Sequence, residues 1–280
     1  MIVFPNAKIN LGLHVVEKRT DGFHNIETVF YPVNLCDALE IIPGDQEKTE
    51  FTISGLPLPG DPETNLVMKV VRLMTDAGSR MPDTPLPCFR IHLHKVIPSG
   101  AGLGGGSSDA ASALKLVNEL WKMDLSVPQL QDLAGQLGSD CAFFIENRPV
   151  FATGRGNMLE PIELDLSGYQ IVIIVPPVHV STPEAYRMVS PAKSVRSLKE
   201  IIRLPVEEWK DNLSNDFEKP VMNKYPVIRE IKEELYNKGA LYAAMSGSGS
   251  AVYGMFSGQV AVGSLQFDPS FFISRKLHQA

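Results

Sequence analysis

Cysteine is scarce in this chain, with three in 280 residues. Cys36, Cys88 and Cys141 are odd in number, far apart and form no C-x-x-C pair. That argues against a disulfide framework or a zinc site and fits a reducing compartment. Excess positive charge is lacking too. Lys and Arg number 26 against 32 Asp and Glu, a formal net charge of −6. The sign is wrong for a protein that binds nucleic acid by displacing counterions. A small anionic ligand stays open, because backbone N–H groups can hold one without a basic surface. No apolar run reaches the length of a membrane span. The N-terminus, MIVFPNAKIN, has no basic segment followed by an apolar core and does not read as a signal peptide. The expectation is a cytoplasmic protein with neither membrane nor nucleic acid as partner. Repeats and low-complexity tracts are also missing.

What is present is ordinary globular composition, 44% hydrophobic and 21% charged. The length suits one large domain or two of ordinary size. A break at Gly154 to Gly156 suggests the partition 1–154 and 155–280.

Residues 7–16 alternate. Ile9, Leu11, Leu13 and Val15 share one face, and Lys8, Asn10, Gly12 and His14 share the other. Period two predicts a half-buried strand, with Lys8 and Asn10 away from the core. Thr20-Asp21-Gly22 is a turn, and 23–30 returns as a strand. Further strands are expected at 38–42, 51–53, 89–97, 150–153, 170–175, 241–245 and 251–256. Helices are expected at 65–76, at 107–121 and after the cap Ser126, where Gly138 closes the turn. Proline-punctuated helices run from 183 to 238, and Pro-rich 81–87 reads as a loop.

Residues 98–110 read PSGAGLGGGSSDA, between a strand and a helix. Five glycines among seven residues let successive N–H groups converge on a phosphate, and the helix adds the positive end of its dipole. Ser107 and Ser108 can bond phosphate oxygens or hold a metal ion. The competing reading is a flexible turn with an N-cap serine, but so many glycines lose much entropy on ordering unless a ligand needs the backbone bare. The loop also matches G-x-G-x-x-G. A dinucleotide site would want an acidic residue after a following strand, and here the next element is a second helix. A Walker A loop is absent: Gly55 to Gly60 has the spacing, but Asp61 stands where lysine is required.

Ala7-Lys8-Ile9-Asn10-Leu11, Asp21-Gly22-Phe23-His24, Gly104-Gly105-Gly106-Ser107-Ser108, Gly138-Ser139-Asp140, Asn215-Asp216-Phe217-Glu218 and the Ser246-Gly247-Ser248-Gly249 turn occur in that order. Together they resemble the GHMP kinase superfamily, and within it the branch acting on a cytidine diphosphate conjugate of methylerythritol. The resemblance implies a two-domain α+β fold with ATP and substrate in the cleft between the domains. It implies Mg²⁺ with the ATP, a small-molecule substrate, and phosphorylation of a tertiary hydroxyl in non-mevalonate isoprenoid synthesis. Lys8 and Asp140 fall on the family's catalytic positions. The phosphate loop falls on Pro98, Ser99, Gly100, Ala101, Gly102, Leu103, Gly104, Gly105, Gly106, Ser107 and Ser108, and the adenosine positions on Asn65 and Lys95. Asn10, Phe23, His24, Phe30, Thr182 and Tyr186 fall on the substrate side. The family often has tyrosine where this chain has Phe23, which keeps the stacking face and loses a hydroxyl.

From the residues alone, Asp140 reads better as a capping residue after a helix, while a solvated strand lysine suits Lys8 less well, because its strand is otherwise apolar and Asn10 shares its face. Ser246 to Ser250 reads as a hairpin turn or as a second phosphate-closing loop. His92 and His94 share a strand face with no third metal ligand, and Cys141 reads as a small buried residue rather than a nucleophile. Other GHMP kinases, of homoserine or mevalonate type, and a non-catalytic nucleotide-binding module are the alternatives. An RNA-binding protein sharing the N-terminal architecture is disfavoured by the charge. The sequence names no Mg²⁺ ligands and no oligomeric state, and nothing transfers to the weakly patterned 259–280.

Overall fold

The alternating N-terminal pattern folds as a 13-residue strand, β2 (Asn6–Lys18), preceded by a two-residue strand, β1 (Ile2–Val3). These and all later features come from a computed structural model that describes residues 1–44, 47–78, 88–193, 196–258 and 272–276. The expected loop at 81–87 and most of 259–280 lie outside the described residues. The other strands are β3 (His24–Cys36), β4 (Ala38–Pro43), β5 (Glu50–Gly55), β6 (Phe89–Lys95), β7 (Val150–Thr153), β8 (Met158–Pro161), β9 (Gln170–Ile174), β10 (Tyr242–Met245), β11 (Val252–Phe256) and β12 (Phe272–Lys276). The helices are α1 (Leu66–Gly78), α2 (Gly105–Leu120), α3 (Val127–Leu137), α4 (Phe143–Glu146), α5 (Thr182–Met188), α6 (Leu198–Ile201), α7 (Trp209–Asn212), α8 (Glu218–Lys224) and α9 (Pro226–Asn237).

The backbone packs into two units that interleave along the chain. One comprises Met1–Ala7, Leu35–Ser99 and Gly104–Asn147; the other comprises Lys8–Asn34, Gly100–Leu103 and Arg148–Ala280. These packing units do not follow the 1–154 and 155–280 partition. The reason is strand pairing: β2 and β3 join β7 and β8 in one four-stranded sheet, so the N-terminal hairpin packs with the chain that follows residue 148.

The first unit is built on the sheet β1-β4-β6-β5. Strands β5 and β6 run parallel, and α1 lies between them in sequence, as a parallel pair requires a crossover connection. Helix α2 packs on α1, α3 and α4. Its apolar face is Ala110, Ala113, Leu114 and Val117, all buried, at the 3.6-residue period. It starts two residues earlier than expected, because Gly104 takes a left-handed φ of 71° at the cap, where a side chain would be strained. The capping of α3 is as expected at its start: the Gln129 side-chain oxygen accepts from both the N–H and the hydroxyl of Ser126. Its end differs. Gly138 occupies the C-cap position with an extended φ of 174°, so no left-handed cap forms there.

The second unit contains the β2-β3-β7-β8 sheet and an antiparallel sheet in the order β10-β11-β9-β12. Helices α5, α8 and α9 contribute to a core that includes Val172, Ile174, Phe217, Ile228, Ile231 and Leu235. Burying each such side chain contributes roughly 1.5–3 kcal/mol. Pro226 opens α9 at its first position, as expected. Strand β12 had no clear signal in the sequence, and its partner is β9.

Candidate active site

Strand β2 departs from the half-buried reading in a way that matters for chemistry. Every residue from Ala7 to Val15 is buried, and Lys8 is only 3% exposed. A solvated strand lysine is therefore excluded. In the second unit the Lys8 ammonium donates to the Asn10 side-chain oxygen at 2.5 Å and lies 4.9 Å from the centroid of the Phe30 ring. An ammonium so shielded from water is favoured only where polar atoms and ring faces replace its hydration. The backbone of Asn10 is held as firmly. Its N–H donates to the Ser246 hydroxyl at 3.2 Å, and its carbonyl accepts from the Tyr253 hydroxyl at 2.9 Å.

The same Ser246 hydroxyl donates to the Gly102 carbonyl at 2.9 Å, so the glycine loop and the Ser246–Ser250 turn meet. They meet closely enough that a Cβ on Gly102, where φ is +80°, would stand 2.1 Å from the Ser246 carbonyl oxygen. Only glycine fits. The turn does connect an antiparallel pair, since Met245 faces Val252 across β10 and β11, but docking on the glycine loop gives it a second role. Asn215 pins it from behind by donating to the carbonyls of Met245 and Gly247 at 2.9 and 2.8 Å. Thr182, at the start of α5, shares a 3.1 Å hydrogen bond with Ser248.

On the outer side of this unit His24 stacks on Tyr186 with ring centroids 4.7 Å apart, and Tyr186 meets Phe217 edge-on at 4.9 Å. Burial and the nearby Lys18 charge lower the proton affinity of His24. A neutral imidazole offers one donor and one acceptor to a base edge. Phe23 is half exposed, with the Arg155 guanidinium 3.7 Å from its ring centroid.

In the first unit, Asn65 caps α1 by accepting from the Val67 N–H at 2.9 Å. It lines a cavity of about 250 Å³ together with Leu66, Lys95, Ser99, Gly106 and Asp109. Lys95 is 2% exposed. Its ammonium is clamped between two buried carboxylates, donating to Asp37 and, at 2.7 Å, to Asp109. The other Asp37 oxygen accepts from the N–H groups of Val96 and Ile97 at 2.5 and 2.8 Å, which fixes the chain as it enters the glycine loop. Burial pushes the Asp109 carboxyl up to about 7; Lys95 opposes that rise and Asp37 adds to it. Asp140 stands half-buried in the turn between α3 and α4. The cap of α4 is Ala142, so Asp140 does not serve as its cap. Burial raises the neighbouring Cys141 thiol to about 11, which leaves it protonated and unreactive.

The predicted residues thus fall into local groups. Lys8, Asn10 and Phe30 meet in one unit, as do His24 and Tyr186. Asn65, Lys95, Ser99 and Gly106 share a cavity in the other. His92 and His94 bond Thr52 and Ser54 on the exposed face of β6. Among the described residues no three His, Cys, Asp or Glu side chains converge as a metal site, and no helix is long and apolar enough to cross a membrane.

Two family models match the chain: the GHMP kinases N terminal domain over residues 65–148 and the GHMP kinases C terminal over 197–266. A Bacteroides fragilis protein named 4-diphosphocytidyl-2-C-methyl-D-erythritol kinase is 53% identical over 279 residues, 99% of this chain and all of that one. The chain belongs to the 4-diphosphocytidyl-2-C-methyl-D-erythritol kinase family of GHMP kinases. A Parabacteroides distasonis protein of the same name is 55% identical over 91% of this chain and 92% of its own. A crystal structure of 4-(cytidine 5'-diphospho)-2C-methyl-D-erythritol kinase superposes with a TM-score of 0.77 at 32% identity, covering 91% of this chain and 90% of that one.

Within this kinase family frame, the residues that sequence reasoning did not single out are Asp37, Asp109, Thr28 and Tyr253. Asp109 had a local signal: it follows Ser108 on the buried face of α2, one residue before Ala110. The others act across strands and carry no signature in their own neighbourhoods.

Proposed function

We propose that this chain transfers the γ-phosphate of ATP to the 2-hydroxyl of 4-diphosphocytidyl-2-C-methyl-D-erythritol, a step of non-mevalonate isoprenoid precursor synthesis in the cytoplasm. The observation that carries the reading is identity above 50% along the whole chain to relatives of that name. It is supported by a buried lysine where the family has its catalytic one. The two family-model matches fall on either side of residue 154, which supports 1–154 and 155–280 as the family's two domains.

Phosphoryl transfer asks the protein for positioning and charge stabilisation. In this reading Asp140 accepts the hydroxyl proton. Lys8, held by Asn10 beneath the Phe30 ring, stabilises charge on the transferring group. Backbone N–H groups of Pro98–Ser108 other than the proline hold the phosphates, with Ser107 and Ser108 adding hydroxyls. Asn65 and Lys95 lie near the adenosine of ATP. Mg²⁺ fits as an ion carried largely by the phosphates, since it needs few protein ligands and the described residues offer no cage for it; when bound it neutralises phosphate charge. Phe23 stacks on cytosine, His24 reads its edge, and Thr182 and Tyr186 complete the substrate side.

The test is coupled ADP release with MgATP and the cytidine conjugate, beside homoserine and mevalonate. Turnover confined to the cytidine conjugate is expected. Turnover on another alcohol instead would keep the kinase and discard the substrate. ATP binding without turnover on any of the three would replace the kinase with a binding module.

A further inference from the structure

The Asn10 amide is one of the groups that hold the Lys8 ammonium. The Asn10 side chain can sit two ways with nearly the same shape, oxygen or NH₂ toward Lys8, and only the first attracts an ammonium. What decides is the group on the other side of the amide. Asn10 Nδ2 donates to the Thr28 hydroxyl oxygen at 2.9 Å, and Thr28 in turn donates to the Gly12 carbonyl at 2.6 Å. Thr28 has a single hydroxyl proton. Once that proton is committed to Gly12, its oxygen can only accept, so it faces the NH₂ end of Asn10 and leaves the oxygen for Lys8. Gly12 makes this chain possible: it adopts a φ of +68° in the middle of β2. Thr28 itself is fully buried on β3, opposite Ala152 of β7, so water does not compete for its hydroxyl.

We propose that Thr28 is a positioning residue for phosphoryl transfer: by accepting from Asn10 while donating to Gly12, its hydroxyl fixes the Asn10 amide in the orientation that holds the Lys8 ammonium. The inference rests on Lys8 being catalytic. Thr28 touches neither substrate nor nucleotide in this scheme. Its removal lets the amide turn and present NH₂ to the ammonium, which repels it. A displacement of about 1 Å at a reacting group can lower the rate about 10²-fold.

Steady-state kinetics of Thr28→Val, Thr28→Ser and Lys8→Met test this, with each variant's folding checked by circular dichroism. Thr28→Val keeps the shape and loses the hydroxyl; its kcat falls about 10- to 100-fold while KM for ATP stays within about twofold. Thr28→Ser restores the hydroxyl and recovers most of kcat. If Thr28→Val does not fold, Thr28→Cys, whose sulfur is a poor acceptor, carries the same expectation. Wild-type kcat in Thr28→Val with an inactive Lys8→Met overturns the role of Thr28 and leaves the kinase reading intact. A fall in kcat that Thr28→Ser does not recover, or one matched by an equal rise in KM for ATP, also overturns it. Wild-type kcat in Lys8→Met contradicts instead the catalytic reading on which the inference rests.

Discussion

Two lysines of this chain are almost wholly hidden from water, one in each packing unit. Lys95, in the first unit, lies between the carboxylates of Asp37 and Asp109. Lys8, in the second, donates to the Asn10 side-chain oxygen and lies against the Phe30 ring. A buried ammonium clamped by two buried carboxyl groups is engaged on both sides, and its removal leaves both without their shared donor. Burial alone therefore does not say whether a lysine serves chemistry or structure, and the two are separated by what each substitution changes.

That contrast can be broken most sharply at the proposed base. Asp140→Asn should lower kcat by about 10²–10⁴-fold without moving the thermal melting midpoint; near-wild-type turnover with product confirmed would remove Asp140 from the chemistry. Next in size, Lys95→Met should destabilise the fold by roughly 3–5 kcal/mol, because it leaves buried carboxylates uncompensated. A urea midpoint unchanged from wild type would show that the clamp is not structural.

A smaller effect follows from Asp109. Its folded carboxyl titrates near 7 against an ordinary value of 3.8, chiefly because it is buried. Between about pH 4 and pH 7 the folded protein therefore keeps a proton that the unfolded chain has released, and stability falls as pH rises through that window. Urea midpoints across it should decline in the wild type and decline less in Asp109→Asn. Parallel curves would place the titration elsewhere. The smallest effect is at Phe23. Phe23→Tyr adds one hydrogen-bonding hydroxyl and should lower KM for the cytidine conjugate about two- to tenfold, as a bond of roughly 0.5–1.5 kcal/mol would, with kcat unchanged.

How much of this was legible in the sequence divides along the range of the interactions. The glycine loop announced itself, because bare backbone at Gly102 and Gly104 is a local need with a local composition. Helix α2 was readable from its apolar period, and α9 from the proline that opens it and the glycine beyond its end. Strand β2 was readable as a strand but not as a buried one: period two reports alternation, while burial of the polar face depends on Thr28 and Phe30 of another strand and on Ser246 of a distant turn. Asp37 was illegible for the same reason, since its partners Lys95, Val96 and Ile97 lie 58 to 60 residues away. The interleaved packing units were hidden because no composition shift marks where the chain passes from one to the other. Lys8, by contrast, was found through its motif, and its burial then gave the motif a physical reason.

The measurement that bears most directly on this account is a paired one on Lys8→Met and Lys95→Met, with turnover on the cytidine conjugate and urea midpoint read for each. Lys8→Met should lose turnover and keep its midpoint, while Lys95→Met should lose midpoint. Turnover retained in Lys8→Met, or a midpoint lost there and kept in Lys95→Met, would contradict it.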